Sequence, residues 1–381
     1  MKKYFSILLL LLLIIVMSCD NTKDTLGEHK SVWIKVDPSE NTPQLNTNDY
    51  SVDSICSLSF PDNISLNNVS KFIVKNDRIY ILDTEAAHTV FVFDTSGKYL
   101  FKLGERGRAK HEYTYAPTDF FVDNMGNTHV FDQMGQKILS FTKYGKIFRV
   151  VITREILPHS FGLTNNNKYA YCRRPNEKEN PVLMFSDWNK ENQETILSFN
   201  GDYTFVPSDR TFFSNSYRLS HIPILSDSVL VFNNDSLEKV VHFDFGGKFV
   251  TEEIPDAVTD INSKDLPRYK GVLSLNEYQE TDDLVYMEYV FDWWVKRWLL
   301  NKKSKKAINA KGLFEGINPF YLFYLRDNQI ITLVDHDIIN AIKEMYSDNE
   351  IKNELPKSVP QVKDIFEGKI EVPVLLYISV K

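Results

Sequence analysis

At 381 residues, with 43% hydrophobic and 25% charged side chains, the chain can bury a sizeable core and could hold either several ordinary domains or one large β architecture. A net charge of −7 with no long Lys/Arg run excludes nucleic acid as a main partner, because phosphate binding needs a clustered cationic footprint. Aromatic residues reach 13%, with 26 Phe and 19 Tyr, a composition that suits pleated, half-buried surfaces and leans towards sheet.

The first eighteen residues read as a targeting segment outside the fold. Lys2 and Lys3 precede an apolar run, Phe5 to Met17, which is shorter than the about 20 residues a membrane span needs. The run ends in "VMSC", and its Cys19 follows the small Ser18. This resembles the lipobox of bacterial lipoproteins, which implies cleavage before Cys19 and lipidation of its thiol. Residues 19–45 then read as the lipidated cysteine and a polar, flexible tether. Beyond Cys19 only Cys56 and Cys172 remain; they can pair only if their Cα atoms come within about 7 Å, and two buried free thiols are the expected state.

From residue 46 to residue 381 the chain reads as one domain built from a repeated β-meander. "IYILDTEAAHTVFVFDTSGKYLFKLGERG", Ile79 to Gly107, alternates strand and turn, and "THVFDQMGQKILSFTKYGKIFRVV", Thr128 to Val151, nearly repeats it. Asp83 falls 49 residues before Asp132, and Gly97-Lys98 falls 48 before Gly145-Lys146. In the second unit four short runs stand out: 120–122, 128–131, 138–141 and 147–151. Turns such as "KNDR", "DNMGN", "TSGK" and "KYGK" supply the residues that tight hairpins need. Four strands at a period of 45–50 mark a propeller blade.

Counting onward gives six units, near 65–107, 115–155, 158–200, 215–250, 270–310 and 313–381. The fold expected is all-β, a six-bladed β-propeller of four-stranded antiparallel blades. Asp283 to Ala310 is expected to give two long strands. "DHDIINAIKEMYSDNEIKNEL" places Ile338, Ile339, Ile342, Met345 and Tyr346 at helical spacing, so one helix is expected inside the last blade. The final "EVPVLLYISVK" is expected to complete a blade with strands from elsewhere in the chain, which closes the ring and hides two sheet edges.

The "SC" lipobox, the "IYILD…FD.SGK" blade, the "LGERGRAKHEY…PTDFFVD" connection and the late helix before "VPVLLY" together resemble the six-bladed β-propeller lipoproteins of Bacteroides-type bacteria, related in shape to TolB-like and NHL propellers. The family's connection usually carries glycine and proline where this chain has Ala109, Lys110 and His111; Glu112 and Tyr113 are retained. The resemblance implies a fold and a bacterial cell-envelope, lipid-anchored, outer-membrane location more than an activity.

Little in the sequence points to catalysis. "GERGRAKHEY" leads into an extended strand, whereas a phosphate cradle needs a helix N-terminus. The sharper reading of this loop is a cationic patch at the channel mouth, with Arg106, Arg108, Lys110, His111 and Tyr113 as ligand-binding candidates and Arg as a carboxylate clamp. In "VDHDI", Asp335 or Asp337 is expected to cap a helix rather than bind metal, and "DNMGN" is expected to be a turn. "DWWVKRW", read as one strand, offers Trp293 and Trp298 as candidates for sugar stacking, against the plainer reading of a strand packed between blades. No catalytic residue, metal or cofactor is expected.

The function expected is a non-catalytic envelope lipoprotein whose propeller is a binding platform for a protein, peptide or glycan, with the membrane engaged through Cys19. The alternative is a propeller glycosidase or lyase acting on a nutrient glycan. An enzyme should gather carboxylates, His or Tyr at the axis with a perturbed pKa, a platform should show aromatic and Arg-rich loops, and a structural subunit should expose a broad apolar patch.

Overall fold

The computed structural model describes residues 29–39, 49–61, 64, 66, 69–173, 181–189, 192–198, 210–215, 218–223, 226–250, 269–309, 322–345 and 363–381. The signal segment, Cys19 and its predicted lipidation lie outside them.

Six antiparallel sheets form the six blades. Blade 1 holds β3 (Val69–Lys75), β4 (Arg78–Asp83), β5 (Thr89–Asp94) and β6 (Tyr99–Leu103). Blade 2 holds β7 (Asp119–Val122), β8 (Thr128–Asp132), β9 (Lys137–Phe141) and β10 (Ile147–Ile152). Blade 3 holds β11 (Ser160–Leu163), β12 (Tyr169–Cys172), β13 (Pro181–Ser186) and β14 (Gln193–Ser198). Blade 4 holds β15 (Phe212–Asn215), β16 (Arg218–His221), β17 (Ser228–Asn233) and β18 (Ser236–Asp244). Blade 5 holds β19 (Val272–Glu280), β20 (Leu284–Phe291), β21 (Trp294–Asn301) and β22 (Lys306–Asn309). Blade 6 holds β23 (Phe323–Arg326), β24 (Gln329–Val334), β25 (Val374–Val380) and, as its outermost strand, β2 (Tyr50–Ser57) from the start of the domain.

The expected closure is therefore present. Tyr50 pairs with Val380 and Ser57 with Val374, so the two ends of the domain hold one blade together. The core is a ring of layers between blades rather than one central cluster. Ile79, Val90 and Phe93 of blade 1 pack in the same layer as Phe120 and Val130 of blade 2 and Ile331 of blade 6. Each large apolar side chain buried this way contributes about 2 kcal/mol, and a blade alone would leave its faces wet.

The repeat seen in the sequence has a hydrogen-bonding cause. At the end of the second strand of four blades stands an aspartate: Asp83, Asp132, Asp292 and Asp335. Asp83 Oδ1 accepts from the Ala86 and Ala87 amides at 2.8 and 3.1 Å. Asp132 accepts from Gly135 and Thr114, and Asp292 from Gly271. Asp335 Oδ1 accepts from the Ile338 amide at 3.0 Å, the helix cap that the sequence predicts. "DNMGN" is the expected turn, with Asp123 Oδ1 taking the Met125 and Asn127 amides at 2.8 Å.

Four expectations change. Residues 30–35, inside the predicted tether, form β1 (Lys30–Lys35), which pairs in parallel with β18 and makes blade 4 five-stranded. It covers an edge that would otherwise stay open. The predicted helix is α1 (His336–Met345), and among the described residues a further short helix, α2 (Lys363–Phe366), follows it. Asp283 to Ala310 gives three strands, not two, and "DWWVKRW" is not one strand. Asp292 and Trp293 are a two-residue hairpin with φ of 49° and 69°, the positive pair that a type I′ turn demands. The two cysteines are the free thiols expected, Cys172 buried and Cys56 half-buried rather than buried.

Candidate functional site

The first strand of every blade faces the propeller axis, and together they line a cavity of about 540 Å³. Lys71, Asp119, Ser160, Phe212, Glu277 and Tyr324 represent blades 1 to 6 in order. Thr84 and Gln133, from second-to-third-strand hairpins, and Thr118 and His159, from blade-to-blade connections, also line it. The cavity therefore reaches the face where connections and hairpins gather, the side on which α/β and β scaffolds with variable loops place ligands.

Charge at this axis is arranged in three groups. Lys71 Nζ donates to Asp119 Oδ1 at 2.7 Å and sits 3.9 Å from the centre of the Phe121 ring. Burial pulls the Lys71 ammonium below its usual value, and Asp119 opposes that. Arg210 precedes blade 4 but donates to the carbonyls of Ser70, in blade 1, and Thr118, before blade 2 at 3.4 Å. Its Nε lies 4.0 Å from Asp119 Oδ1, so the guanidinium bridges across the axis to the far blades.

The third group belongs to blade 5. Glu277, Glu288 and Arg297 stand side by side across β19, β20 and β21. Arg297 Nε pairs with Glu288 Oε2 at 3.0 Å. Glu277 accepts from Gln279 Nε2 at 2.7 Å, and Gln279 Oε1 in turn takes the Leu325 amide of blade 6 at 3.0 Å. Burial pushes the Glu277 carboxyl up to about 7; Gln279, Arg210 and Arg297 oppose this and Glu288 adds to it. The ladder skips Asn276, between Leu275 and Glu277, a bulge of the kind that re-aims a side chain.

The candidates read from the sequence lie elsewhere. Arg106, Arg108, Lys110 and His111 are exposed on the connection between β6 and β7, and Arg106 stacks on Tyr115 with 4.6 Å to the ring centre. Tyr113 is fully buried and its hydroxyl donates to the Leu103 carbonyl at 2.5 Å, so it anchors the loop from within. Glu112 folds back onto the Ala109 amide at 2.8 Å. None of these five candidates lines the cavity, although Thr118 at the end of the same connection does. Trp298 is buried edge-on against Phe243, and Trp293 is half-buried with its indole N–H on the Tyr269 carbonyl at 3.1 Å. The exposed indole of this run is Trp294.

Lys71, Asp119, Arg210, Glu277 and Glu288 were not among the sequence candidates. Lys71 and Asp119 carry a signal: they occupy matching places, 48 residues apart, in "VSKFIV" and "PTDFFV", each directly before the apolar run of its inner strand.

Comparison with known proteins agrees with this architecture. A protein from Bacteroides fragilis NCTC 9343 described as exported is similar over 92% of this chain and 100% of its own, with TM-score 0.71 and 14% identity. A duf4221 family member from Bacteroides vulgatus ATCC 8482 aligns over 88% of this chain and 99% of its own, with TM-score 0.49 and 9% identity. A virginiamycin B lyase from Staphylococcus aureus aligns over 74% and 95%, with TM-score 0.41 and 9% identity. The first likeness speaks to the fold alone, and the other two carry no argument. No curated protein matches. The family model described as "Domain of unknown function (DUF4934)" matches residues 35–367, and the chain belongs to that family.

Proposed function

We propose that this chain is a non-catalytic binding lipoprotein of the cell envelope, a TolB- or NHL-like propeller anchored in the outer membrane through Cys19. Its disc takes a protein, peptide or glycan partner on the face where the blade connections gather. The observation that carries this reading is the axial cavity of about 540 Å³, lined from all six blades and reaching that face. The apolar run ending in Ser18-Cys19, which resembles a lipobox, supports an envelope setting.

The paired state of the axial charges favours binding over turnover. Asp119 is held by Lys71 and Glu288 by Arg297, so both acids are already engaged. One observation favours the runner-up, a propeller glycosidase: Glu277 and Glu288 are direct neighbours across two strands. Two-carboxylate hydrolysis, however, needs its acids to flank the scissile bond, and these two share one wall.

The test is incubation of the full chain with acidic and neutral oligosaccharides and short peptides, reading both thermal stability and ligand integrity. A ligand at about 100 times its dissociation constant adds roughly 2.7 kcal/mol, a visible rise in melting temperature. The expected result is a shift with the ligand recovered intact. Release of product, abolished by Glu277→Gln and by Glu288→Gln, would establish the enzyme instead. For the anchor, Cys19→Ala should free the protein from membranes; retention there would overturn the lipid attachment.

A further inference from the structure

Glu277 differs from the other acids of the axis. Lys71 and Arg210 approach Asp119, and Arg297 holds Glu288, but among the described residues no Lys, Arg or His forms an ion pair with Glu277. Its neighbour across the ladder is a second carboxylate, an arrangement that weakens a sheet. A bulge at Asn276 adds a local distortion beside it. The fold gains nothing evident from this arrangement, and such departures are expected where a site has a task.

The opposite wall carries a second, independent sign. Blade 2 lies three places round a six-blade ring from blade 5, hence across the axis. There Asp119 is 3% exposed and its Oδ2 has no hydrogen-bond partner; the Ser70 hydroxyl of neighbouring blade 1 is likewise buried without one. Both residues line the cavity. Buried acceptors are nearly always satisfied in native proteins, so each unsatisfied one calls for an explanation. Phe212 and Phe323 line the cavity from the blades on either side of blade 5, and aromatic faces suit both an ammonium and the carbon skeleton behind it.

We propose that the axial cavity receives a small molecule by its protonated amine, with Glu277 facing the ammonium and Asp119 Oδ2 and Ser70 Oγ accepting N–H or O–H donors at the ligand's other end. This rests on the reading of the cavity as a receptor. The ammonium belongs to an amino sugar, an amino acid or a diamine, all of which fit a cavity of about 540 Å³.

The proposal carries a pH dependence whose sign is fixed. Glu277 titrates near 7, lifted by burial and by Glu288 and opposed by Gln279, Arg210 and Arg297. Lys71 and the Tyr286 phenol also share its field. The three cations are each engaged with another acid, Arg297 with Glu288 and the other two with Asp119. Below its midpoint Glu277 is neutral and offers an ammonium no ion pair; above it the carboxylate does. Amine binding therefore strengthens as pH rises through about 7 and releases a proton near neutrality.

Calorimetric titration of the full chain tests this with L-lysine, putrescine and D-glucosamine, against D-glucose and D-glucuronate. L-lysine and putrescine are run at about pH 6 and about pH 8, either side of the midpoint, where a lysine-type ammonium stays charged. The expected result is binding of at least one amine, tighter at the higher pH, and weakened roughly ten- to hundredfold by Glu277→Gln, the worth of a charge-assisted hydrogen bond. The arm that binds identifies the source of the ammonium. Tighter binding of glucose or glucuronate, or amine binding indifferent to Glu277→Gln, overturns the amine assignment while leaving the cavity a receptor. Failure of every probe to bind overturns both the assignment and the reading of the cavity as a small-molecule receptor. Asp119→Asn, which leaves Glu277 in place, should weaken the same amine without removing its pH dependence.

Discussion

Two glutamates three residues apart in β19 meet opposite fates. Glu280 turns towards blade 4, whose Lys239 Nζ donates to it at 2.7 Å, while Tyr278 Oη and Lys302 Nζ of its own blade donate at 2.7 and 2.5 Å. Burial pushes its carboxyl up, but the two lysines hold it below the usual value. Glu277 turns to the axis, meets a carboxylate and an amide, and rises to about 7. Desolvation raises both carboxyls, although Glu277 at the cavity wall is half-buried and Glu280 buried, so the partner decides the outcome. Between blades Glu280 ties two lysines into the ring; at the axis Glu277 is left to serve something else.

The same substitution should therefore act with opposite signs at the two positions. Glu280→Gln leaves two lysines beside a neutral group and should cost about 3 kcal/mol at neutral pH. Because the folded value is lowered, that contribution is present above the unfolded carboxyl value and fades as pH falls through the folded one. Denaturant unfolding of wild type and variant at neutral and acid pH checks it. An undiminished loss in acid would mean the lysines act through packing, not charge.

A glycine pair sharpens the distinction between ring and rim. Gly97 has φ +85°, and a Cβ there would lie 2.0 Å from the Ser57 carbonyl oxygen, in the strand that closes the ring. Gly97→Ala should cost more than about 2 kcal/mol. Gly247, at φ +77° with nothing within 4 Å, should lose only about 1 kcal/mol on the same change. Equal losses would show that backbone strain alone, and not the closure contact, sets the cost.

At the connection face the smallest effects are expected. Tyr113→Phe removes the buried bond to the Leu103 carbonyl and should cost about 1 kcal/mol. Arg108→Ala, at an exposed position of the same loop, should stay within about 0.5 kcal/mol. Melting curves for both variants separate the residue that holds the loop from the one it displays.

The ring was legible in the sequence because its signals are local. Hairpin glycines such as Gly97 and Gly145, and the strand-ending aspartates Asp83 and Asp132, repeat with the blade period and act on turns close to themselves. The axis was not. In "VLSLNEYQE" two acids share one strand, and only the closed ring decides which of them meets Lys239 and which meets the cavity. The hairpin at Asp292-Trp293 is hidden because a tryptophan at positive φ is uncommon, and β1 because a six-residue segment gains its order from an edge far along the chain. Tyr113 and Trp298 are candidates by residue type alone; both are buried, and Trp298 packs against Phe243 of the next blade, the plainer reading of that run.

The most direct test of the central claim is the unfolding free energy of Glu277→Gln above pH 7. A carboxyl raised from 4.5 to about 7 in the folded state favours folding while both states can hold its proton, and that advantage is lost as pH rises through the folded value. Removing it should leave stability nearly unchanged in acid and raise it, on the order of 3 kcal/mol, at about pH 8. A variant less stable than wild type at that pH would mean that Glu277 is held by the fold, and that the axis has no acid to spare for a ligand.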